Sequence, residues 1–161
     1  MTKATNRLGR RMRRIICTPT AVMTSLIAGF GSMALADSPL DTYRWQNRIL
    51  LVFAPSDNDE RLGATRKLAR EHSRGFEERH LITVLAPAAG EALDGQMLST
   101  AQRDSLRARH GIEESGFAVF LIGKDGGVKL RLERPPRAAE LFKLIDSMPM
   151  RQREMEASPG D

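Results

Sequence analysis

From residue 49 onward the apolar residues gather into short unbroken runs. Ile49-Leu50-Leu51-Val52-Phe53 ends at Ala54-Pro55, and Leu81-Ile82-Thr83-Val84-Leu85 and Phe117-Ala118-Val119-Phe120-Leu121-Ile122 repeat the pattern. Runs of this length without polar alternation predict strands buried on both faces. Between the first two runs, Leu62, Thr65, Leu68, Ala69 and His72 recur at helical spacing, which predicts a helix with His72 packed on its apolar face. Asp57 and Glu60 have the spacing of an N-cap and a reciprocating N3 residue, and Gly75 is placed to end that helix. Phe76 then turns back to the core. Strand, helix and strand in this order predict a right-handed parallel crossover.

The remaining pattern completes one α/β domain. Residues 37–47 are a polar lead-in whose Trp45 is expected to pack on the first strand. The stretch from Ala86 to Leu98 has no period and reads as a loop. Ser99 and Gln102 offer a second capping box, opening a helix that runs through Leu106 and stops at Gly111. Lys124-Asp125-Gly126-Gly127 predicts a hairpin with a two-residue turn. The returning strand alternates, with Val128, Leu130 and Leu132 on one side and Lys129, Arg131 and Glu133 on the other. After Pro135-Pro136, the stripe Leu141, Phe142, Ile145 and Met148 predicts a last helix, halted at Pro149, and residues 151–161 read as a loose polar tail. The order β-α-β-α-β-β-α, with a four-stranded mixed sheet and helices on both faces, is that of the minimal thioredoxin-like fold.

Charge changes where this domain is expected to be. The 161 residues carry a formal net charge of +5 and a pI near 10.0. Six of the basic residues (Lys3, Arg7, Arg10, Arg11, Arg13 and Arg14) precede residue 37, whereas every Asp and Glu lies at or after Asp37. From Asp37 onward 19 Lys and Arg stand against 20 Asp and Glu, a balance of −1, which argues against a nucleic-acid partner. Residues 1–36 have the basic start, the apolar stretch from Ile15 to Met33 and the Ala34-Leu35-Ala36 triplet of a secretory signal, with cleavage expected before Asp37. The alternative is an uncleaved anchor; Pro19, Gly29 and Gly31 interrupt the stretch and weigh against it. A cleaved signal leaves a periplasmic or secreted domain, 37–150, whose contact with the membrane ends at cleavage. Cys17, the sole cysteine, departs with the signal.

Arg44-Trp45, Arg48 through Pro55, Asp59 with Arg61-Leu62, Gly75-Phe76 through Arg79, and Ile122 through Gly127 resemble the signature segments of the DUF4174 domain family. The similarity runs from Pro39 to Met155 and implies a thioredoxin-like fold. Relatives of that family occur in extracellular animal proteins of the sushi-repeat and equarin kind, which implies a secreted setting but no activity. His80 departs from the acidic residue expected after Arg79.

Thiol enzymes of the thioredoxin fold hold their cysteine where the first helix begins, because the helix N-terminus stabilises a thiolate. Here that stretch reads Ala54-Pro55-Ser56-Asp57-Asn58-Asp59-Glu60, so thiol oxidoreductase activity is excluded for the mature domain. Ser56, Asp57, Asp59 and Arg61, with Arg79 nearby, form the candidate ligand-binding face; the competing reading treats the acidic residues as ordinary helix caps. No residue set supports a catalytic triad, a metal site or a cofactor. His72, His80 and His110 are scattered, and no Cys pair or His-x-x-x-His exists. The sequence therefore predicts a non-redox binding module for a protein or small ligand. Its rivals are a cysteine-independent enzyme using Asp57 or Asp59 as a general base, and a structural envelope protein.

Overall fold

The computed structural model describes residues 38–89 and 98–157. The expected signal with its expected cleavage point, most of the expected loop from Ala86 to Leu98 and the last four residues lie outside them. Four strands form the sheet: β1 (Arg48–Ser56), β2 (Leu81–Ala89), β3 (Ala118–Ile122) and β4 (Val128–Leu132). They lie in the order β2-β1-β3-β4. β1 runs parallel to β2, with Arg48 opposite Leu81, and antiparallel to β3, with Ile49 opposite Ile122. β3 and β4 form the antiparallel hairpin.

The unbroken apolar runs are explained by layers on both sides of this sheet. Successive strand residues point to opposite faces. Leu50, Val52 and Ala54 of β1 pack with Leu62, Phe76, Leu141 and Ile145, which come from α1 (Glu60–Glu71), α2 (Ser73–Glu78) and α4 (Ala138–Asp146). Ile49, Leu51 and Phe53 face the other way and pack with Leu106 of α3 (Thr100–His110) and with Leu40. β1 is therefore sandwiched, and Leu50 through Ala54 are fully buried.

Several local expectations change. The cap of α1 is Asp59 rather than Asp57: its carboxylate accepts from the backbone N–H of Arg61 and Leu62, so Glu60 opens the helix. α1 ends at His72, which is exposed and meets Phe142 edge-on at 6.0 Å instead of sitting in the core. Gly75 lies inside α2, where a Cβ would fall 2.8 Å from the Phe142 ring. Trp45 is 65% exposed, with a left-handed backbone (φ 67°) whose N–H donates to the Lys124 carbonyl. β2 continues through residues 86–89, pairing Ala86 with Phe53 and Ala89 with Ser56.

The β3–β4 connection uses a three-residue loop. Gly126 N–H bonds the Gly123 carbonyl and Gly123 N–H bonds the Gly127 carbonyl, with Gly126 alone in the left-handed region at φ 80°. A register shift follows, because Leu121 pairs with Leu130 and Ile122 with Val128. The bulge turns Val128 outward, and only Leu130 and Leu132 reach the core. Ser99 and Gln102 do form the reciprocal capping box, and Gly111 ends α3 in the left-handed conformation.

Pro149 starts a helix instead of merely stopping one. α5 (Pro149–Ala157) covers most of the stretch expected to be a loose tail. A proline at the first helical position lacks only an N–H that would have no partner there. α5 has no buried residue, so charge rather than an apolar stripe fixes its position.

Candidate functional site

At the carboxyl end of β1 the chain passes from Ser56 into α1. Asp59 accepts from the Nε and Nη2 atoms of Arg61, at 3.1 and 2.7 Å, as well as from the two helix N–H groups. The Arg61 guanidinium hydrogen bond holds the Asp59 carboxyl below its ordinary value, and the backbone donors act in the same direction. Arg61 in turn lies 4.6 Å from the centre of the Phe117 ring. The Asp57 carbonyl accepts from Arg66 Nη1 at 3.2 Å.

Beneath this end, Arg107 fills the interior on the α3 side and is 4% exposed. Its Nη1 donates to the carbonyls of Ala54 and Ala86, at 3.2 and 3.0 Å. Its Nη2 donates to those of Glu113, Glu114 and Gly116, the first at 2.6 Å. One guanidinium thus ties the ends of β1 and β2 to the approach to β3. Burial lowers its pKa, opposed by the charges of Asp104 and Glu114. Sequence reasoning missed this residue, because an arginine in a polar helix reads as solvated.

Ser56, Asp57, Asp59 and Arg61 are brought together as expected, but Arg79 is not. It caps α2 just before β2, whose first residue Leu81 pairs with Arg48, so the length of β1 from Arg48 to Ser56, eight residue steps or about 26 Å, lies between the two ends. There Arg79 pairs with Asp146 at 2.7 Å and stacks on Phe142 with a guanidinium-to-ring distance of 4.4 Å.

That opposite end holds a second cluster. Arg48, 1% exposed, donates through both terminal nitrogens to the Glu154 carboxylate and through Nη1 to the Arg79 carbonyl. Lys124 Nζ lies 2.8 Å from Glu154 and 2.8 Å from His80 Nδ1. Burial alone would raise the Glu154 pKa; hydrogen bonds from Arg48 and Lys124, with their charges, overcome that and pull it down to about 2. Among the described residues, no group of three or more His, Cys, Asp or Glu is placed to hold a metal ion.

The sequence model of one family, a domain of unknown function (DUF4174), matches residues 39–154. The chain belongs to the DUF4174 family. Among curated proteins it is similar to coiled-coil domain-containing protein 80 of Danio rerio, at 28% identity over 134 residues. That match takes in 72% of this chain and 15% of the relative, so the DUF4174 domain corresponds to a small part of a much longer protein. Among solved structures it resembles the reduced 2-Cys peroxiredoxin of Plasmodium vivax, with 17% identity and a TM-score of 0.54, covering 71% of this chain and 83% of that one. Thioredoxin peroxidase I of Plasmodium yoelii gives 18% and 0.53, with 76% and 82% covered. At these identities the likeness shows a shared fold and no more.

Proposed function

We propose that this DUF4174 domain is an exported, periplasmic or secreted thioredoxin-like module that works by binding a protein or small ligand, without redox chemistry. One observation carries the reading. Where thiol enzymes of this fold hold a cysteine, Asp59 closes the start of α1 and is itself held by Arg61 and two backbone N–H groups. A carboxylate kept ionised in this way is a poor general base, since such a base works best with a pKa near the operating pH. That argument favours binding over a carboxylate-dependent enzyme. Export rests on residues 1–36 of the sequence. The proposed contact surface is Ser56, Asp57, Asp59 and Arg61, with Ser56, Asp57 and the exposed edge of Arg61 left to meet a partner.

Crosslinking in extract from the source cells tests this. The protein is compared with a Ser56→Ala, Asp57→Ala, Arg61→Ala variant that keeps the Asp59 cap. Selective loss of a partner from the folded variant is the expected result. Identical captures would remove this surface from consideration and favour a structural role.

A further inference from the structure

The opposite end of the sheet carries a cavity of about 330 Å³ between the β3–β4 hairpin and the start of α5. Its lining has two characters. Met148, Pro149 and Met150 supply apolar surface, and Arg48, Lys124, Lys129 and Arg153 supply positive charge. The volume lies at the small end of the range that ordinary ligand pockets occupy, and methionine surfaces adapt to the shape of what they enclose.

The charges around this cavity do not balance. Arg48 and Lys124 share one carboxylate, that of Glu154. Lys129 is paired with Asp125 at 2.6 Å. Arg153 is exposed and makes no hydrogen bond or ion pair with the described residues. Four cations therefore face two carboxylates, an excess of two positive charges beside an apolar wall. The first turn of α5 also contributes Pro149 and Met150 to the lining, so the positive end of that helix dipole lies at the cavity. A purely apolar ligand would leave this excess uncompensated, and a compact inorganic anion would leave the methionine wall uncovered.

We propose that the cavity binds a small amphipathic monocarboxylate, with its alkyl chain against Met148 and Met150 and its carboxylate at Arg153. Arg48 and Lys124 already contact Glu154, and Lys129 is held by Asp125, so the ligand headgroup falls to Arg153. The site is at the far end of the sheet from Ser56, and its test is independent of the partner capture described above.

The full chain, labelled at its methionine methyl groups, is titrated with decanoate, with acetate and with decyltrimethylammonium while NMR follows Met148 and Met150. Reading these two methyl groups separates the cavity from any binding to residues 1–37. Decanoate is expected to shift both signals saturably, and acetate to bind at least tenfold more weakly. Arg153→Glu should weaken decanoate about tenfold with an unchanged unfolding midpoint, because Arg153 is exposed and pairs with none of the described residues. Met150→Ser gives a second variant, expected to weaken decanoate without strengthening acetate. Equal affinity for decyltrimethylammonium, undiminished decanoate affinity in the folded charge variant, or no saturable shift at Met148 and Met150 would each overturn the proposal.

Discussion

Arg48 and Glu154 are 106 residues apart in the chain and form a two-pronged pair, at 3.1 and 3.2 Å, at the base of the central strand. α5 has no buried residue of its own, so this pair and the Glu154 contact with Lys124 supply much of what holds it in place. Glu154→Gln should therefore lower stability by about 1.5–3 kcal/mol, the range for hydrogen bonds to charged groups. Amide hydrogen exchange should quicken across residues 149–157 before it changes in β1. Unchanged exchange in α5 would show that other contacts hold it.

Acid should weaken the same attachment. Glu154 ordinarily titrates near 4.5 and is pulled down to about 2 in the folded protein. A depressed carboxyl pKa gives stability that is fully present above 4.5 and is lost as pH falls from there toward 2. Asp59 and Asp125 are shifted in the same direction, by Arg61 and Lys129 respectively. Urea midpoints measured from pH 6 to pH 3 should fall for the native chain and fall less steeply for Glu154→Gln.

Arg107 is predicted to be more costly to replace than any surface arginine. Arg107→Met retains apolar bulk but leaves five carbonyl oxygens without this donor, a loss of about 3 kcal/mol or more at 1–3 kcal/mol for each group left unsatisfied. Arg107→Lys should recover only part of it, since an ammonium lacks the planar fork that reaches both sets. Chemical denaturation of the two variants compares them directly.

Gly75→Ala would place a methyl 2.8 Å from Cε2 and Cζ of Phe142, whose ring is also bordered by His72, Phe76 and Arg79. The ring must shift, and overpacking of this kind costs about 1–3 kcal/mol. A lowered melting temperature with shifted Phe142 ring signals is expected.

The three buried strands could be read from the sequence because a strand covered on both faces needs consecutive apolar residues, and Ile49–Phe53 and Phe117–Ile122 show them. Ser99 with Gln102 was equally legible, since both partners of that cap are local. α5 was not, because residues 149–157 carry no apolar period and its anchor, Arg48, is remote in sequence. Pro149 was the available signal: a proline that ends one helix can begin the next. The α1 cap was misplaced by two residues because Asp57 and Asp59 are chemically equivalent candidates, and backbone geometry alone chooses between them. Arg79 was assigned to the wrong end because strand length, not chain order, sets its distance from Ser56.

The account turns on Asp59 being a held, ionised cap rather than a base. Carbon-13 NMR titration of its carboxyl group measures this directly. The predicted midpoint lies below the ordinary value of 3.8, and Arg61→Ala should move it upward. A native midpoint near neutral pH would contradict the account and favour a carboxylate-dependent enzyme at the start of α1.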